Sequence, residues 1–184
     1  MNTGDITIKE TKDADFIDIM DIHKTAFGQD EEAELTAALL GDKSAEPVLS
    51  LLAFDGNEAA GHILFTRVEI KGSAPSPPAH ILAPLAVKPA FQNRGIGGML
   101  INEGLKRLKE MGAELVFVLG HKEYYPRHGF LPDAGRRGFE APYPIPARDA
   151  DAWMVLALTP KGPGGIRGKV RCADVLNRPE YWRE

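Results

Sequence analysis

The chain lacks nearly everything that would mark a small secreted scaffold or a membrane protein. Its 184 residues contain one cysteine, Cys172, so neither an intramolecular disulfide nor a thiolate cluster for structural zinc can form, and a reducing cytoplasm is the expected compartment. No run of apolar residues approaches the roughly eighteen needed to span a bilayer. The stretch from Met1 to Glu10 has no basic and apolar regions of the signal-peptide kind. A soluble protein without a membrane partner is expected. An excess of basic residues is missing too: the net charge is -4 at pH 7, which disfavours nucleic acid as the main partner.

Several catalytic signatures are absent as well. No serine sits in G-x-S-x-G, no H-E-x-x-H occurs among the five histidines, and there is no G-x-x-x-x-G-K-[ST]. These absences argue against a serine hydrolase, a zinc protease and a P-loop enzyme. Cys172 has no base near it in sequence and reads as a packed thiol, and no metal is expected.

What is present is a chain of 43% apolar residues, long enough for one domain with a real core. Residues 1–160 read as that domain and 161–184 as a tail on it, whose Tyr181 and Trp182 cover this core or that of a second subunit; monomer and homodimer both fit. Charge is uneven. Residues 1–60 hold 14 Asp/Glu against 4 Lys/Arg, whereas 61–160 hold 9 against 12. An acidic front of this kind is either a solvated face or an attractor for a cation.

Periodicity orders the elements. A short strand at Ile6 to Lys9 precedes a helix with Phe16, Met20, His23 and Phe27 on one side and Ile19, Ile22 and Ala26 beside them, stopped by Gly28. Asp30 is placed to cap a second, acidic helix ending near Leu40. Val48 to Phe54 and Ala59 to Ile70 flank Asp55-Gly56, the signal of an antiparallel hairpin. The run Ala79 to Val87 contains Pro84, which has no N–H for a ladder and so predicts an edge or a bulge there. Next come an amphipathic helix from Gly95 to Met111, a buried strand from Glu114 to Leu119 and hence a right-handed βαβ crossover. Lys122 to His128 reads as a short helix and Trp153 to Leu158 as a strand, with loop between them. The class is mixed α/β.

The segment Gln92, Asn93, Arg94, Gly95, Ile96, Gly97 and Gly98 lies between a strand and the amphipathic helix. Three residues without side chains let backbone N–H groups converge on an anion at the positive end of the helix. The spacing is not that of G-x-G-x-x-G, which would need glycine at Leu100.

This segment resembles the coenzyme A motif [QR]-x-x-G-x-[GA] of the GNAT superfamily of N-acetyltransferases, through Gln92, Gly95 and Gly97. A second GNAT feature, an aromatic pair followed by Gly-Phe, is matched by Tyr124, Tyr125, Pro126, Arg127, His128, Gly129 and Phe130. The likeness is strongest from Leu82 to Phe130, near small stand-alone acetyltransferases with a Pro-Leu-Ala-Val strand.

The resemblance implies a mostly antiparallel central sheet with one splayed strand pair and flanking helices. It also implies transfer of an acetyl group from acetyl-CoA, as cosubstrate, to an amine of a small molecule or peptide by direct attack through a tetrahedral intermediate. By position, Leu85 and Val87 would meet pantetheine through their main chain, with Leu85 N–H stabilising an oxyanion, and Gln92 to Gly98 would hold the diphosphate. Tyr125 matches the general acid, whereas Tyr124 reads as packing. Relatives often place a carboxylate near the position of Ile81, which cannot take a proton. His80, His62, Glu69, His121 or water are the candidate bases. The acidic helices between Asp13 and Leu40 would flank the acceptor entrance. An acyl-CoA sensor without turnover is the alternative that the missing carboxylate leaves.

Overall fold

The computed structural model describes residues 5–183; Met1 to Gly4, part of the segment examined for a signal peptide, and Glu184 at the end of the tail lie outside them. Eight strands form the sheet: β1 (Ile6–Glu10), β2 (Leu49–Asp55), β3 (Glu58–Lys71), β4 (Ala79–Val87), β5 (Leu115–Leu119), β6 (Phe139–Glu140), β7 (Trp153–Ala157) and β8 (Gly168–Arg171). Their order is β1-β2-β3-β4-β5-β7, with β8 bonded to the far end of β3 and to β6. All pairings are antiparallel except β4 with β5 and β6 with β8.

Helices α1 (Phe16–Phe27) and α2 (Glu31–Leu40) cover one face and α3 (Ile96–Glu110) the other. The period-2 alternation of strands assigns the sides: Leu49, Leu51 and Ala53 pack with Leu100, Ile101 and Leu108 of α3, while Leu52 packs with Ile19 and Ile22 of α1. Phe65 reaches α3 because Gly104 has no side chain; a Cβ there would collide with the Phe65 ring. A third cluster joins the far ends of β3, β4 and β5 to the tail, with Phe117, Phe139, Trp153 and Trp182 at its centre.

Most expected elements are present, with differences that have physical causes. Gly28 ends α1 in the left-handed conformation, φ 69°, which glycine adopts without steric cost. Asp30 is the residue before α2, but its side chain makes no capping bond and lies 3.7 Å from Lys24 instead. Tyr125–His128 is a single 3-10 turn rather than a longer helix. Two strands were not expected, β6 with two residues and β8 with four, because such short pieces carry no readable period. Pro84 agrees with its expectation: β4 pairs with β5 only as far as Ile81, and the proline lies beyond that point, in a bulge where Ile63 pairs with Leu85 but Phe65 with Leu82. The Ala83-Pro84 bond is cis.

Among the described residues, no helix is long and apolar enough to cross a membrane, and no group of His, Cys, Asp or Glu could hold a metal ion. Cys172 is buried and its thiol is pushed up to about 12, so it stays protonated and inert.

Candidate active site

Strands β4 and β5 run parallel for only three register pairs, from Ala79 with Leu115 to Ile81 with Phe117. Beyond Ile81 they part, and the bulge at Pro84 lies in the freed portion. The opening is a cleft of about 440 Å³. Leu82 to Leu85 form one wall, Leu119 to Lys122 with Tyr125 the opposite one, and Phe27, Glu32, Leu35, Asp149 and Ala152 its remaining side.

The hydrogen-bond direction along β4 follows from its continuation. Lys88 N–H donates to Ala60 O of β3 at 2.9 Å, and because main-chain groups alternate sides along a strand, those of Leu85 and Val87 turn away from β3, toward the cleft. The Val87 carbonyl accepts from Gln92 Nε2 at 3.0 Å, so Gln92 braces the loop against the strand. Leu85 N–H lies on that same side and faces the splay.

The loop into α3 is shaped by two left-handed residues, Asn93 at φ 62° and Gly95 at φ 79°. At Gly95 a Cβ would meet nothing within 4 Å, so glycine serves there for its backbone conformation. Met99 N–H closes the first turn on Gly95 O at 3.0 Å. Among the described residues no acceptor is bonded to the amides of Ile96, Gly97 and Gly98. These donors, at the positive end of a fifteen-residue helix, form a cradle for an anion. Arg94 stands apart from that picture: its Nη1 pairs with Asp55 Oδ2 at 2.8 Å and its guanidinium lies over Phe91. The arginine thus ties the cradle loop to the β2–β3 hairpin.

Gly97 and Gly98 do a different job from Gly95. A Cβ on Gly97 would lie 2.6 Å from Tyr124 Oη, and one on Gly98 would lie 3.1 Å from His128 Cε1. The short turn carrying the aromatic pair is therefore packed directly onto the start of α3.

Tyr125 is 8% exposed, its ring against Tyr124 and Phe130, yet it lines the cleft. Burial, with Tyr124 beside it, pushes its hydroxyl well above the usual phenol range, so the group stays protonated at neutral pH.

Among the candidate bases, only His121 lines the cleft. His80 bonds Pro47 O at 2.9 Å, and Glu69 is paired with Arg67 and Lys71. His62 sits fully buried between His23 Nε2 and Ser50 Oγ, each 2.8 Å away. A further hollow of about 500 Å³ near the start of α1 is lined by Phe16 and Ser50 and by no residue of either motif.

The splayed parallel pair next to the start of α3 is the strand arrangement the resemblance implied, and comparison with known sequences decides the family: the profile described as Acetyltransferase (GNAT) family matches residues 16–130. The chain belongs to the GNAT acetyltransferase family. Its matched span runs from the start of α1 to Phe130 and so contains both motifs.

Relatives of this acetyltransferase include the uncharacterized N-acetyltransferase YjhQ of Escherichia coli K12, 51% identical over 174 residues, 95% of this chain and 96% of that one. The solved structure of YhbS from Escherichia coli in complex with CoA superposes with a TM-score of 0.83 at 28% identity, covering 94% of this chain and 92% of that one. A GNAT acetyltransferase from Brucella melitensis in complex with acetyl-CoA gives 0.72 at 30% identity, over 94% and 98%. The mixed α/β architecture, with its mostly antiparallel sheet and flanking helices, is that of the GNAT fold.

Residues that sequence reasoning did not single out are those on the α1–α2 side of the cleft: Phe27 as a wall, Glu32, Leu35 and, above all, Asp149. Asp149 belongs to the 3-10 segment Ala147–Ala152, which follows prolines and reads locally as loop. Nothing within that stretch announces which way its carboxylate turns.

Proposed function

We propose that this chain transfers the acetyl group of acetyl-CoA to an amine, holding the diphosphate on the Ile96 to Gly98 amides and the pantetheine arm along Leu85 and Val87. The supporting observation is the joining of two features at one place. Unpaired amides at the start of α3 follow the splayed strand β4, whose Leu85 lines the same cleft as Tyr125. Bound there, acetyl-CoA supplies the activated acyl group. Leu85 N–H is oriented to donate to its carbonyl oxygen as negative charge develops. Tyr125, held protonated by burial, is the donor for the departing sulfur.

The acceptor reaches the cleft from the α1–α2 side, opposite α3. Glu32 of α2 lines that side, and because Asp149, which also lines the cleft, is paired with Arg148 at 3.3 Å, Glu32 is the carboxylate that favours amines carrying positive charge. Of the bases the resemblance suggested, His121 is the one at the cleft, with water as the other route for the proton.

Calorimetry with acetyl-CoA, followed by a mass-shift screen over amines, polyamines, amino acids and peptides, tests the reading. Binding together with an acetylated product supports it. Absence of binding at high micromolar acetyl-CoA would overturn it, and binding without any product would leave an acyl-CoA sensor instead.

A further inference from the structure

Tyr124 touches the machinery as closely as Tyr125 does, from the other side. Its ring makes edge contacts with Tyr125 at 5.1 Å and His128 at 5.2 Å, and these fix where the hydroxyl lies. That hydroxyl overlies the first turn of α3. A Cβ built on Gly97 falls 2.6 Å from Tyr124 Oη, 3.8 Å from its Cζ and 3.9 Å from Leu85 Cδ2. The distances separate two effects: the ring carbon would accept a methyl group in ordinary contact, and only the oxygen forbids it.

The need for glycine at position 97 is therefore set by the Tyr124 hydroxyl. Glycine is the poorer residue for a helix, by up to about 1 kcal/mol relative to alanine. Among the described residues the hydroxyl is bonded to no protein group, and it is not sealed away from solvent. A helix concession is made for an oxygen that has no partner within the protein. Its position explains what the partner would be. The oxygen lies against Gly97, whose amide is one of the unpaired ones of α3, and the same spot on Gly97 is within 4 Å of the Leu85 side chain of β4.

We propose that Tyr124 is a coenzyme-binding residue whose hydroxyl donates a hydrogen bond to CoA where the diphosphate passes into the pantetheine arm. This rests on the coenzyme reading above. Burial raises the phenol's pKa, which keeps the donor proton in place over the working pH range. His128, packed over Gly98 and against the Tyr124 ring, is its positioning residue.

The test is a set of three variants measured by calorimetry and steady-state kinetics. Tyr124→Phe should weaken CoA about 3- to 10-fold, the worth of one neutral hydrogen bond, and raise KM for acetyl-CoA with kcat unchanged. An equal loss with 3′-phosphoadenosine 5′-diphosphate assigns the acceptor oxygen to the diphosphate; a loss confined to CoA assigns it to the pantetheine arm. Gly97→Ala should lower both Tm and CoA affinity by displacing the ring. In Gly97→Ala/Tyr124→Phe the new methyl meets the ring carbon at 3.8 Å and Leu85 Cδ2 at 3.9 Å, both ordinary contacts, so Tm should recover while affinity stays at the Tyr124→Phe level. Wild-type affinity in Tyr124→Phe or in the double variant would overturn the proposal and leave the coenzyme site standing. Failure of the wild-type protein to bind CoA would instead remove the site itself.

Discussion

Tyr125 and Tyr124 are adjacent in sequence and differ in what their hydroxyls face, so conservative substitution separates them. Tyr125→Phe keeps the packing against Phe130 and removes the donor. Turnover should fall about 10²-fold or more, as expected for losing a general acid, with CoA affinity unchanged by calorimetry; unaltered turnover would assign the proton to another group. Gly120→Ala should give a similar loss by displacement, since a Cβ there would lie 2.5 Å from Tyr125 Cε2. The sequence showed that glycines cluster before α3, and their spacing pointed to an anion. It could not show that Gly95 answers to its own φ while Gly97 and Gly98 answer to Tyr124 and His128. That requirement is imposed from about thirty residues downstream and is visible only when the turn is folded onto the helix.

Among elements, α1 is held to the sheet in an unusual way. Its His23 is fully buried and meets His62 of β3 at 2.8 Å; burial lowers His23 from 6.5 to about 4, and burial together with the neighbouring His23 holds His62 well below its ordinary range. Both imidazoles are therefore neutral when folded at pH 7. In the unfolded chain they take up protons near 6.5, so the unfolded state binds more protons below that value. Stability is full above about pH 6.5 and falls toward about pH 4, with a slope of about 1.4 kcal/mol per pH unit for each proton. Urea unfolding at pH 7 and pH 5 should show this fall, and His23→Gln/His62→Gln should flatten it; equal slopes would exclude the pair as its source. Because Phe27 of α1 stacks on His23 and lines the cleft, loosening of α1 in acid should also impair turnover. Helix α3 and the β2–β3 hairpin were legible from a strong period and a two-residue turn. The His23–His62 contact was not, since each histidine simply occupies one place in an otherwise apolar stripe.

At the scale of the whole molecule, charge and the tail set the boundary conditions. The acidic first third places Glu32 at the cleft, so KM for cationic amines should rise with added salt while that for neutral amines stays flat, as screening weakens attraction. Indifference of both to salt would remove charge from the account of acceptor choice. The tail is tied into the same core as the strands: Trp182 is 2% exposed, stacks edge-on against Trp153 and donates from Nε1 to Leu176 O at 3.0 Å. Trp182→Ala should cost about 3 to 5 kcal/mol of stability in chemical denaturation, with CoA affinity retained at low temperature. Composition suggested that the aromatic end packs, but the pairing of β8 with β3 depends on long-range register that no local pattern encodes.

The fourteen residues of β3 carry a consequence for how the molecule comes apart. Its first half is laced to β2, its middle to β4 and its last three residues to β8, so the strand is shared by the coenzyme side and the tail side alike. Neither half can melt alone without stripping bonds from the other. Deuterium uptake at the backbone amides around Leu64 and Phe65 should accordingly be governed by whole-molecule opening, the slowest event available to this chain.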